Sequence, residues 1–595
     1  MLAACLHQLL SASAAGALVA PANSTLYNGI VLPAQWPPRH NLTNRTSLSA
    51  PWYTLPARHP EAVVIDVGRQ LFVDDGFLLD PGSNVTTEFH APTLHEAAPG
   101  THVGGGGLWW DASANHFKNF FTCTKAFHIQ GDGALGPLCL ATSEDGVTWR
   151  NHTTGTAPFP NMVWSRPAFS RAVLLDELAA DPSQRWKLVQ VEYKGPSHLQ
   201  YQLYASSDGL DWSRQSANHG TDGGIGAPGD CSSAMLNPFR NVTILSAKYT
   251  DSLLGRQRLY AEANVFSEEA FPEQREGFVP WAAADADDPR WLGGPRSFWA
   301  PGGNVLLNST VPELYNLDGI AYESVMIGFF RIFRCKERYP GCTMMYKKPE
   351  CLSHPTAAGC EALAHELADM LLGFSRDGFT WSRTHVAQPH AAAGFDLTPD
   401  RRYPFVGQEL GSKGWNSHGI GSIQGGGLTI SGDDKQHESL RLFFSSADRV
   451  GTATLRRDGF ASVGSAKATL GAMLLTVPLM FNDINQSTLF LNVKGGVQSL
   501  LLIPSAGDGL PLLSMDPSPG LPAQTDSTML PVALRPGTVP DLAALRGNPF
   551  RLSMVLEPGA RLYAFWVSSA GGHSGGWLGA GGPRYPRGLQ DRGEH

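Results

Sequence analysis

Short apolar runs broken by Gly, Pro, Asp and Asn recur along most of the chain, the pattern of short strands joined by turns. Three such runs, Leu138-Cys-Leu-Ala-Thr, Gln202-Leu-Tyr-Ala-Ser and Met370-Leu-Leu-Gly-Phe, each lead into a segment of the form Ser-x-Asp-Gly-x-x-Trp: Ser143 to Trp149, Ser206 to Trp212 and Ser375 to Trp381. Asp-Gly at that point predicts a tight hairpin, because Gly accepts the positive φ the turn requires, and the Trp then packs on the next strand. A weaker echo, Leu455 to Phe460, closes the series. The spacing of the first two repeats suits a four-stranded blade, and the longer gap before the third leaves room for others. The expected fold is all-β, a five-bladed β-propeller over residues 61–465, with a sandwich of repeated hairpins as the alternative. Strand-like runs at Gly471 to Phe481, Thr488 to Val493, Val497 to Ile503, Phe550 to Leu556 and Arg561 to Val567 predict a β-sandwich domain over 466–568. The Gly-rich stretch 569–595 is expected to be a disordered tail.

Composition agrees. Of 595 residues, 42% are hydrophobic and 16% charged, enough to bury a large core, and the Gly, Pro and aromatic content leans towards strands and turns. With 45 basic against 53 acidic residues and no sustained Lys/Arg stripe, nucleic acid is not an expected partner. The Gly-rich segments lack both a phosphate loop and a Rossmann context, no nucleophile elbow is present, and no cofactor or metal is called for.

Met1 to Ala22 contains the small, apolar run Leu9 to Ala20, a candidate secretory signal, followed by a linker over 23–60. Eight Asn-x-Ser/Thr sequons, at Asn23, Asn41, Asn44, Asn84, Asn151, Asn241, Asn308 and Asn485, favour a secreted, glycosylated chain. Cys335, Cys342, Cys351 and Cys360 crowd one polar stretch without zinc-ligand spacing, which reads as a disulfide-stapled loop. Cys123 and Cys139, on successive predicted strands, are placed to bridge, which leaves Cys231. No later run of 18 apolar residues occurs, so no membrane span is expected; the oligomeric state is open.

Several segments resemble a known group. Arg69 to Asp75, Cys139 to Trp149, Asn237-Pro-Phe-Arg240, Tyr322-Glu-Ser324 and Gly373 to Trp381, with Gly451 to Phe460, Leu475 to Leu479 and Leu562 to Phe565 further on, are similar to proteins abundant in planctomycete-type bacteria. Those proteins resemble the five-bladed propellers of glycoside hydrolase families 32 and 43, with a terminal sandwich. The resemblance implies the same two-domain fold and a carbohydrate substrate. The Trp-Met-Asn-Asp-Pro-like, Arg-Asp-Pro and Glu-Cys motifs of family 32 do not occur in literal form.

A propeller glycosidase needs carboxylates at its central funnel, one as base or nucleophile and one as general acid. Asp74 and Asp75 end the apolar Leu71-Phe-Val73, and strand alternation lets only one of them face the funnel. Asp230 stands at the start of the blade that follows the second repeat, a place that resembles that of the second carboxylate of the propeller glycosidases, with a turn residue as the alternative. Glu323 is a lone acid in an apolar strand, costly to bury unless paired or protonated, and a raised pKa is what a general acid requires; a structural salt bridge, with Arg331 as the candidate partner, is the alternative. Trp109, Trp110, Arg240, Tyr322, Trp415 and His418 are candidate substrate contacts. The reading is a secreted glycoside hydrolase acting on a poly- or oligosaccharide; the alternatives are a non-catalytic carbohydrate-binding propeller and a sialidase-like enzyme.

Overall fold

The computed structural model describes residues 24–593 except 40–58, 75, 103, 124–135, 156–158, 194–198, 217–223, 227, 252–254, 285–311, 337–365, 384–403, 409–413, 417–418, 424, 433, 447–448, 466–469, 484–486, 505–512, 515–520, 533–541 and 570. The described strands form seven sheets. Five of them are successive antiparallel blades, each entered on its inner strand. Blade 1 starts at Gly107–Asp111, blade 2 at Ser170–Leu175, blade 3 at Ser233–Asn237, blade 4 at Glu313–Glu323 and blade 5 at Ile420–Ser422 with Leu428–Ser431. The ring closes by pairing Thr93–Glu96, which precedes blade 1, with Arg449–Arg456 of blade 5. Closure makes Thr93–Glu96 the outermost strand of blade 5, so the edge left there is only four residues long, the usual solution for a propeller.

The Ser-x-Asp-Gly-x-x-Trp segments do turn blades 1, 2 and 4. In blade 1 Asp145 Oδ1 accepts the N–H of Val147 and Thr148 at 2.7 Å, and Gly146 sits at φ +68°. Trp381 packs edge-on against Phe330 of its own blade, with ring centroids 5.7 Å apart, while Trp212 reaches Phe120 in the blade before. One continuous apolar core runs through all five blades.

A second core fills a sandwich of two six-stranded sheets. Its boundaries differ from those expected at 61–465 and 466–568. Val63–Val64, Gln70–Leu71 and Thr86–Phe89 from before the propeller, and Ala461–Gly464 after it, all belong to the sandwich. Local pattern shows that these segments are strands but not which sheet they complete. Part of the expected linker is likewise built in: the Trp36 indole donates to Glu262 at 2.9 Å, and Ile30 lies in the sandwich core.

The stretch expected to be a disordered tail is docked. Trp577–Leu578 pairs with Tyr322 and Glu323 at the end of the blade 4 inner strand. Ala580 N–H donates to the Leu428 carbonyl at 2.7 Å, and Trp110 N–H donates to the Ala580 carbonyl at 2.7 Å. Its glycines serve close approach, not freedom: a Cβ at Gly579 would lie 2.6 Å from the Leu428 side chain, and one at Gly582 2.5 Å from the Ile430 carbonyl. Leu578, Ala580 and Leu589 are buried, so a few apolar residues without periodicity suffice to dock it.

Candidate functional site

The inner strands run in the same direction around the axis. The Ser233 hydroxyl donates to the Leu317 carbonyl at 3.1 Å, and a Cβ at Gly319 would meet the Met235 sulfur, so adjacent inner strands start and finish together. The propeller therefore has one end where these strands begin and another where they finish.

The finishing end is sealed by the docked segment and the sandwich. Among the described residues a cavity of about 30 Å³ lies on the axis there, lined by Trp109, Ile320, Trp577 and Leu589 among others, room for a water or two and not for a sugar. Beside it lies a buried charge network. Glu323 Oε1 accepts from Arg457; Oε2 accepts the Arg69 N–H at 3.0 Å and the Ser574 hydroxyl at 2.7 Å. Arg457 also donates to Glu438, Arg69 donates to Asp458, and the Tyr322 hydroxyl donates to Asp458 at 2.6 Å. Burial pushes the Glu323 carboxyl up against the pull of Arg457 and Arg69. Both its oxygens are taken by donors and the docked segment pairs directly over it, so the raised pKa comes without access to a substrate. The alternative weighed for Glu323, a structural salt bridge, is what forms, but with Arg457 and Arg69 in place of Arg331.

Asp74 is at the same end, in a buried pair with Arg376 (2.9 Å), which also reaches the Ser324 hydroxyl next to Glu323. Asp230 is at the opposite end. It is paired with Lys248, and the Tyr315 hydroxyl donates to it at 3.2 Å. Tyr315 precedes Glu323 by eight residues on one strand, roughly 26 Å at the strand rise. Glycosidic carboxylates work about 5–9.5 Å apart. The three acids thus do not converge, and the mechanism expected from sequence, with Glu323 as general acid, is corrected. Asp75 and His418 lie outside the described residues.

The remaining sequence candidates are structural. Trp110 is core, edge-on to Phe117, and Tyr322 is buried against Asp458. Trp415 packs flat where Gly451 leaves room, and Arg240 is held in a fork by Glu262 and stacked 4.7 Å from Trp36. Trp109 lines the small axial cavity and donates to the Val173 carbonyl at 2.7 Å.

At the beginning end the notable acid is one outside the sequence candidates. Asp318, midway along the blade 4 inner strand, accepts from Asn316 at 2.8 Å and from the Ser422 hydroxyl of blade 5, and lies against Ser233 and Arg258 of blade 3. A side chain on one inner strand that meets both neighbouring blades faces the axis. Its Oδ1 is buried and accepts no hydrogen bond among the described residues. Burial pushes its carboxyl up, against the pull of Ser422, Ser233, Arg258 and Asn316. Asp318, in Leu317-Asp318-Gly319, is a lone acid in an apolar strand just as Glu323 is, and that is the sequence signal that marks it. Among the described residues no group of acids, His and Cys is placed to hold a metal ion.

No family model matches the chain. Nor does any curated protein. Solved structures similar to it include an endo-arabinase from Bacteroides thetaiotaomicron (11% identity, 60% of this chain and 96% of that one, TM-score 0.30). Others are a family 43 arabinoxylan arabinofuranohydrolase from Bacillus subtilis (8%, 81% and 99%, TM-score 0.29) and a β-fructofuranosidase from Schwanniomyces occidentalis (10%, 82% and 99%, TM-score 0.30). At such distances the chemistry of this chain rests on its own residues, as the fold rests on its own strand pairing.

Proposed function

We propose that the protein is a glycosidase whose site lies on the propeller axis at the end where the inner strands begin, with Asp318 as the carboxyl that holds a transferable proton. The observation that carries this reading is the buried Asp318 side chain facing the axis, its pKa raised by burial and one oxygen unbonded among the described residues. Asp230 and its Lys248 and Tyr315 partners stand at the same end, and more than a third of the Asp230 side chain is exposed, available as a second carboxylate. The substrate class is a poly- or oligosaccharide, in keeping with the sequence resemblance. Secretion is part of the same reading: the described sequon residues Asn84, Asn151 and Asn241 are all exposed, and Cys123–Cys139 forms a disulfide with Cys231 left as a thiol.

A screen of the purified protein against a polysaccharide panel, repeated with Asp318→Asn, tests this. Hydrolysis by the native chain and its loss in the variant, with binding retained, is the expected result. The scattering of Asp74, Asp230 and Glu323 favours a second reading, a non-catalytic carbohydrate-binding propeller, and binding without hydrolysis by the native chain would establish it.

A further inference from the structure

Away from the axis, blade 5 and blade 1 leave an open groove of about 410 Å³ between them. One wall is the face of blade 5 that carries Arg441, Thr452 and Thr454, with His95 on the closing strand; the other is the Asp-Gly hairpin of blade 1 at Gly146 and Val147. The register puts Arg441 opposite Thr454, and Thr452 opposite His95, so hydroxyls and an imidazole surround one guanidinium.

Arg441 is the unusual member. It is partly buried, yet its guanidinium makes no hydrogen bond or close ion pair among the described residues, and burial pushes its pKa down against the longer-range pull of Asp145. The nearby acids are already engaged. Glu96 is held by Arg449 at 2.6 Å, and Asp145 is taken up by its own hairpin through Val147, Thr148 and Ser143. A half-desolvated cation whose nearest acid, Asp145, is bound up in its own hairpin is costly and is relieved by an incoming anion. A planar fork suits two oxygens of one oxyanion. The groove volume lies in the range of small-molecule sites, and Val147 and Phe443 supply apolar floor for a ring.

We propose that this groove is a second binding site, which takes an acidic sugar by seating its oxyanion, a uronate carboxylate or a sulfate ester, on Arg441. The site is independent of the axial one, so a failed hydrolysis screen does not touch it.

The test is calorimetric titration of the full chain at low salt with galacturonate, galactose 6-sulfate and galactose. At least one of the two acidic sugars is expected to bind tenfold or more tighter than galactose, and which one does so identifies the oxyanion. Arg441→Gln should remove that preference, with the affinity for the acidic sugar falling at least tenfold. Arg275→Gln, which removes the same charge from an exposed pair with Glu276, should leave it unchanged. Thermal melting of each variant reports folding, and Arg441→Gln should melt no lower than the native chain. Equal affinity for the three sugars, undetectable binding of all three, or equal affinities in the native and Arg441→Gln proteins would overturn the proposal.

Discussion

Replacing Glu323 by Gln keeps the size of the side chain and removes its charge, and the surroundings determine what that costs. Each carboxylate oxygen receives donors: Arg457 on one, the Arg69 N–H and the Ser574 hydroxyl on the other, with Arg69 Nε a further 3.5 Å from the first. Whichever way the amide is turned, its NH₂ faces donors, so charge-assisted bonds are lost on that side. Two arginines with no exposed surface to speak of lose one of their counter-charges at the same time. Breaking a buried pair in this way costs about 3–5 kcal/mol, because the remaining charge stays desolvated. Urea denaturation followed by tryptophan fluorescence should show a loss of that size, while turnover per folded molecule on any saccharide that the proposed activity cleaves stays within about twofold. The sequence reading makes the opposite forecast, a turnover drop of roughly 10²–10⁴-fold with stability intact. A stability loss below about 1 kcal/mol together with such a drop would refute the structural assignment of Glu323.

Deleting Gly571 to His595 should lower the melting temperature by several degrees, since it removes Ser574 from Glu323, Tyr585 from Glu438 and the buried Leu578; an unchanged melting curve would mean the segment does not dock in solution. Asp318→Asn should abolish hydrolysis without lowering stability at neutral pH. Because the folded state holds the Asp318 proton above the ordinary value of 3.8, native stability falls as pH rises from there through the raised value, and the variant should lack that fall in a pH series of urea midpoints. Replacing Cys123 and Cys139 by Ser opens a loop with a separation of 16 residues and should cost about 3 kcal/mol by the same denaturation assay. Arg441→Met should melt at or above the native temperature without ligand, because it removes a half-buried cation that has no hydrogen-bond partner among the described residues; a lower melting point would show that the guanidinium is a structural contact.

The strands, the Asp-Gly hairpins, the propeller and the Cys123–Cys139 bridge were legible from the chain, since each depends on near neighbours: alternation within a run, a Gly at positive φ, two Cys on successive strands. The echo at Leu455 to Phe460 was legible only as a turn. In the fold its Asp458 sits at φ +60° and binds Arg69 and Tyr322 from distant segments.

The site was less legible for the same physical reason. An acid in an apolar strand reads identically in sequence whether it faces the axis, as Asp318 does, or a ring of arginines gathered from residues 69 and 457, as Glu323 does. Likewise Gly571 to Gly593 reads as a flexible tail until the chain it must approach is known, because a missing Cβ means freedom in solution and close contact in a packed groove. Local sequence determined which residues form strands and turns. Only the tertiary structure decided which end of the propeller is sealed and which acids keep a partner, because both depend on contacts between segments hundreds of residues apart.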